Sequence, residues 1–164
     1  MIRTTFLLIA ILFSLAVIGQ NSKVQLAFQY YQAKEFEKAA VLFEELYNEN
    51  NQQVYFSYTI NCLLEIKEFQ KAEKVINRQI RKNKKDLQNY IELGNLFNNQ
   101  GKIQEAKEQF DYVIKNLPAD KNMLIMLANS FITRREYDYA KLCYENGRKM
   151  IPYRFNIELA NVYA

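Results

Sequence analysis

The stretch Leu93–Phe110, LGNLFNNQGKIQEAKEQF, decides the fold, because it sets a glycine inside a run that otherwise reads as helix. Gly94 costs about 1 kcal/mol there relative to alanine, so a packing contact must compensate. Seven residues on, Gly101 marks a turn, and beyond it Ile103, Ala106 and Phe110 fall at helical spacing. Two amphipathic helices joined by a short turn account for the whole stretch.

The same signature recurs along the chain. Ala72, Ala106 and Ala140 lie 34 residues apart, and Ala39 precedes Ala72 by 33. Four residues after each alanine stands a bulky side chain: Phe43, Ile76, Phe110 and Tyr144. Three residues before each stands another: Phe36, Phe69, Ile103 and Tyr137. Upstream, Leu26-Ala27, Leu93-Gly94, Leu127-Ala128 and Leu159-Ala160 recur in phase, each followed three residues later by Tyr30, Phe97, Phe131 or Tyr163. A fixed period of this length is the mark of stacked supersecondary units. Large residues fill the seam between two helices, and small ones at the crossing, with Gly94 and Ala106 as the expected facing pair, let the backbones approach. Leu117-Pro118 and Ile151-Pro152 end the second helix, since the residue before proline avoids the helical region.

These residues resemble the tetratricopeptide repeat family. Tyr90, Leu93-Gly94, Phe97, Ala106, Phe110 and Pro118 match its degenerate pattern, with Tyr90 where tryptophan is frequent. The copy from Lys121 to Pro152 matches through Leu124, Leu127-Ala128, Phe131, Ala140, Tyr144 and Pro152. Residues 20–52 form a copy without the final proline, and 53–86 the poorest one. There Ile60 replaces the small crossing residue and Gln79 stands where a small apolar one is usual, so this pair of helices is expected to splay. The full division is repeats at 20–52, 53–86, 87–120 and 121–152, then the first helix of an incomplete fifth repeat at 153–164. The resemblance implies an all-α fold, a right-handed superhelical solenoid of stacked antiparallel helix pairs with a concave inner face. It also implies a scaffold that binds peptides or partner proteins. The unfinished fifth unit leaves Leu159 and Tyr163 without a covering helix, which suggests a longer protein or a covering chain.

Composition agrees with helices. Four glycines and two prolines supply little turn chemistry for a sandwich or a Rossmann-type sheet. The absence of histidine removes the commonest metal ligand and the usual proton shuttle near neutral pH. Carboxylates such as Glu44-Glu45 and Glu105/Glu108 read as solvated helix surface, and no catalytic activity, metal or cofactor is expected. Cys62 and Cys143 fall inside helical patterns and read as small buried hydrophobes.

Residues 1–19 read as a secretory signal peptide. Arg3 is followed by an apolar run from Phe6 to Ile18, with Val17 and Gly19 at the cleavage site. The run is shorter than the roughly 20 residues of a membrane span; the alternative is an uncleaved anchor. No Asn-x-Ser/Thr acceptor occurs, which favours a bacterial periplasm or cell envelope.

The residue after each small crossing residue is expected to face the inner surface, giving Phe28, Asn61, Asn95, Asn129 and Asn161. One turn earlier stand Val24, Ser57, Ile91, Ile125 and Ile157, on the same helix face. The candidate peptide-binding residues are therefore Asn61, Asn95, Asn129, Asn161, Ile91, Ile125 and Ile157, with Leu64 and Ile132 nearby. The asparagines alternatively bind only local backbone or water. Family members that grip a C-terminal carboxylate carry lysines or arginines in this row; here it is apolar or Ser57, so a neutral or apolar segment is the expected ligand. The net charge is +4, and the one basic concentration is Arg78, Arg81, Lys82, Lys84 and Lys85 at a helix end. It suits the helix dipole or, alternatively, an anionic envelope surface. No aromatics are interleaved for nucleic acid.

These features predict a non-catalytic exported scaffold that holds a partner protein or extended peptide. The alternatives are a structural brace or self-associating module, or the substrate-holding part of a longer protein.

Overall fold

Helices form where apolar positions recur every three to four residues, and the computed structural model, which describes residues 22–150, places one on each such run. They are α1 (22–32), α2 (Phe36–Asn50), α3 (Gln53–Glu65), α4 (Phe69–Lys82), α5 (Gln88–Asn99), α6 (Ile103–Lys115), α7 (Lys121–Thr133) and α8 (Tyr137–Met150). Helices and connecting turns make up all of the described residues, with no strand among them. The expected signal segment 1–19, the expected helix at 153–164 and the stop at Ile151-Pro152 lie outside the described residues.

The periodicity of the sequence reappears in the backbone. Lys34, Lys67, Gly101 and Arg135 have φ of 60°, 59°, 74° and 62°, one left-handed residue in each turn at the repeat spacing. Around each, the chain closes the same two hydrogen bonds. The amides of Glu35, Glu68, Lys102 and Glu136 donate to the carbonyls of Tyr30, Leu63, Phe97 and Phe131 at 2.8–2.9 Å. Inside these, the amides of Lys34, Lys67, Gly101 and Arg135 donate to Tyr31, Leu64, Asn98 and Ile132 at 2.9–3.1 Å. This nested pair satisfies carbonyls that a helix end otherwise leaves open. Only Gly101 adopts the conformation without steric cost; for a side chain it costs roughly 1–2 kcal/mol.

Other helix ends use local devices. Asn51, also left-handed at φ 54°, closes α2 by donating its amide to Tyr47, which is how the copy lacking a proline ends. Asp120 Oδ1 accepts the Met123 amide at 2.8 Å and caps α7. Asp86, 34 residues earlier, accepts the Gln88 amide at 3.2 Å and turns the chain into α5.

The chain divides into two compact units, Met1–Glu68 and Phe69–Ala164, with the boundary between α3 and α4. Those are the two helices of the copy with the poorest pattern. In the first unit Phe43 is fully buried, with Tyr58 stacked on it at 4.8 Å and Phe28 edge-on at 5.2 Å. Phe28, expected on the inner surface, is half-buried and its ring meets both Phe43 and Tyr58 edge-on. Ile60 is fully buried despite its size.

In the second unit one continuous core runs from Leu87 and Ile91 through Phe110 and Val113 to Leu127, Phe131 and Tyr144. Phe110 meets Phe131 edge-on at 5.4 Å and Tyr139 at 5.0 Å. Each such buried side chain contributes roughly 1.5–3 kcal/mol, which outweighs the helix cost of one glycine. Gln79 is buried on α4 with Ala72, Val75 and Ile76.

The four seam alanines and the bulky residues that follow them are all buried: Ala39/Phe43, Ala72/Ile76, Ala106/Phe110 and Ala140/Tyr144. The preceding bulky set is not uniformly so. Phe36 and Phe69 are half-buried, whereas Ile103 and Tyr137 are 65% and 54% exposed. All four open their helices directly after the reversal; Phe36 there packs edge-on against Tyr31 at 5.6 Å, whereas Ile103 and Tyr137 project into solvent.

Gly94 answers to Phe110. A Cβ built at 94 would stand 2.2, 2.6 and 2.8 Å from three carbons of that ring. The glycine backbone therefore lies directly against the Phe110 ring, which stands one helical turn beyond the buried Ala106 on α6.

Candidate functional site

Helix α5 is the centre of the second unit, packing against α4, α6 and α7. Asn89, Ile91, Glu92, Leu93, Gly94 and Leu96 are all buried, so the helix is enclosed on most of its circumference. Ile91, expected on the surface, is wholly buried in this core and out of reach of a ligand. This corrects the expected aliphatic row at that position.

The remaining predicted residues divide by place. Asn95 is half-exposed on α5, where Asn99 Nδ2 donates to its backbone oxygen at 2.8 Å and to its Oδ1 at 3.3 Å. Asn129 is exposed on α7, its carbonyl accepting the Thr133 hydroxyl at 2.9 Å. Ile125 and Ile132 are half-buried and pack on the core from the same helix. Asn61 is half-buried on α3 in the first unit, as are Ser57 and Leu64. Asn161 and Ile157 lie outside the described residues. The face that can be built is thus that of α5 and α7, carrying Asn95, Asn129, Ile125 and Ile132.

The two helices are joined by polar bridges. Arg134, the residue that ends α7, donates from Nε to Glu92 Oε2 at 3.1 Å and from Nη2 to Glu92 Oε1. The side chains are 8% and 1% exposed, so this is a buried two-pronged ion pair. Toward one end, Gln88 Nε2 donates to Ser130 Oγ at 3.2 Å. Toward the other, Asn98 Nδ2 donates to Glu136 Oε1 at 2.6 Å. Burial raises the Glu136 carboxyl above its ordinary pKa, and the Asn98 bond partly offsets that.

None of these bridges was anticipated. The available signal was Glu92 itself, a charge at the helical spacing of the buried Asn89, Leu93 and Leu96. Its partner, 42 residues away, could not be named from the pattern.

The basic cluster is mostly solvated. Arg81, Lys82, Lys84 and Lys85 are exposed, and Arg78 is half-buried. Arg81 and Lys82 occupy the last turn of α4, where cations suit the helix dipole.

Both cysteines are fully buried thiols, Cys62 in the first unit and Cys143 in the second. Burial pushes each up to about 12. Among the described residues no group of three or more His, Cys, Asp or Glu side chains is placed to hold a metal ion. No helix among them is long and apolar enough to cross a membrane. No protein-family model matches the chain, and no curated protein is significantly similar to it.

Proposed function

We propose that the chain is a non-catalytic scaffold of the tetratricopeptide kind, a right-handed superhelical solenoid exported to a cell envelope, that holds an extended segment of a partner protein. The observation that carries this reading is the α5/α7 face. It offers side-chain amides at Asn95 and Asn129 beside half-buried aliphatic surface at Ile125 and Ile132. Its buried charges, Glu92 and Arg134, neutralise each other. Such a surface suits an uncharged or apolar strand, read through its backbone by the amides.

Magnitudes apportion the work. A net hydrogen bond contributes about 1 kcal/mol, and association costs at least about 4 kcal/mol. The asparagines set orientation, and the isoleucines supply most of the affinity. Selection of displayed random twelve-residue peptides on residues 20–164 tests this. Enriched peptides are expected to be poor in charge and to lose binding to Asn129→Ala and Ile125→Asp proteins. Equal binding by both variants would refute the assignment.

The four exposed cations Arg81, Lys82, Lys84 and Lys85 support a second contact, with an anionic envelope surface. Sedimentation with phosphatidylglycerol vesicles is expected to fall when all four are changed to glutamine; unchanged sedimentation would refute it.

A further inference from the structure

We propose that the Glu92–Arg134 ion pair, flanked by Gln88–Ser130 and Asn98–Glu136, is a positioning clamp. It fixes the register of α5 against α7 and thereby the spacing between Asn95 and Asn129. The inference concerns the geometry of the face; its consequence for affinity rests on the peptide-binding reading above.

The bridges leave α5 at three levels along its length, residues 88, 92 and 98, and all end on α7 or on the turn that follows it. Asn95 sits between the second and third levels, and Asn129 is adjacent to Ser130. The candidate ligand-reading residues are therefore interleaved with the clamp. Arg134 additionally donates from Nη1 to the Ser130 carbonyl at 3.4 Å, which ties the guanidinium back to its own helix. A planar fork that meets both carboxylate oxygens has one geometry. Apolar contact is non-directional and specifies the register of two helices less sharply than a forked ion pair does. A buried ion pair gives little net stability compared with well-packed apolar residues, and its best-attested service is to fix register. Glu92 and Arg134 are thus positioning residues: they shape the face from below without touching what binds there.

The test measures that spacing directly. Cysteines introduced as Asn95→Cys and Asn129→Cys take spin labels selectively, because Cys62 and Cys143 are both fully buried. Pulsed electron resonance on the labelled chain is expected to give one narrow distance distribution. Glu92→Leu/Arg134→Leu, which substitutes apolar packing, is expected to keep the far-UV spectrum and thermal midpoint while the distribution broadens or moves. Arg134→Lys keeps the charge and loses the fork, and it is expected to broaden the distribution as well, so the test does not depend on one variant folding. Distributions that superpose on the parent in both variants would overturn the clamp. In unlabelled proteins, a displayed peptide selected as above is expected to bind the leucine pair about tenfold more weakly, since preorganisation is lost. Broadened distances with unchanged peptide affinity would support the clamp and count against the binding reading alone.

Discussion

Replacing Gly94 with alanine tests the reading of the seam, because two known effects act there with opposite signs. Helix propensity favours alanine by about 1 kcal/mol. Against it stands the Phe110 ring, whose nearest carbon would be 2.2 Å from the new methyl. Ordinary carbon–carbon contact lies near 3.5 Å, so the ring must retreat by about 1.3 Å. It has little room, since the ring is 2% exposed and already packs on Phe131 and Tyr139 with ring centres 5.4 and 5.0 Å away. Overpacking of a filled core costs about 1–3 kcal/mol, and a clash this deep belongs to the upper half of that range. The net expectation is a loss of about 1–2 kcal/mol. Urea unfolding followed by far-UV circular dichroism measures it, provided the slope with denaturant stays constant. A cycle with Phe110→Leu isolates the cause: with the ring gone, alanine at 94 is expected to stabilise by up to about 1 kcal/mol. A neutral or stabilising Gly94→Ala in the parent chain would refute the reasoning, as would the same cost in both backgrounds.

The left-handed turns offer a set of matched changes. Lys34→Gly, Lys67→Gly and Arg135→Gly are each expected to stabilise by about 1 kcal/mol, and Gly101→Ala to destabilise by a similar amount, all read as shifts in thermal midpoint. At pH 8 a thiol with pKa about 12 exposes roughly a thousandth of the thiolate of one at 9.0, so Cys62 and Cys143 are expected to resist a disulfide reagent until the chain opens. Because one cysteine lies in each unit, mass spectrometry of the modified chain reports the opening of each separately. Asp86, like Glu136, is a carboxyl whose pKa burial raises. Burial raises its folded pKa above the ordinary 3.8, so its contribution is full below pH 3.8 and is lost as pH rises through the folded value. Asp86→Asn keeps an oxygen for the Gln88 amide and is expected to flatten that fall in urea midpoint against pH. An unchanged profile would show that Asp86 is not its source.

The helices and the position of each turn were legible because both are local. Period-3.6 patterning located the helices, and the 34-residue phase located the reversals, one of them marked by Gly101. Lys34, Lys67 and Arg135 carry no such mark. Their left-handed conformation follows from the shared turn and not from their own preference. The seam residues Phe43, Ile76, Phe110 and Tyr144 were also readable, since size and spacing suffice to assign them. The candidate face was legible only in part. Asn129 is exposed and Ile125 half-buried, which leaves both open to a ligand, but Ile91 is buried because α5 is enclosed by three other helices. The Glu92–Arg134 pair was hidden for the same reason. A contact between residues 42 apart is fixed by how helices stack, and a single helix pattern holds only the hint that a charge lies on a buried stripe.

The central claim is that one helical hairpin, closed by the same left-handed turn, recurs in phase along the chain. Backbone chemical shifts and amide-to-Hα couplings from nuclear magnetic resonance on residues 20–164 test it most directly. The account predicts positive φ at Lys34, Lys67, Gly101 and Arg135, each between two helical segments. Extended shifts in those segments, or negative φ at two or more of the four residues, would contradict it.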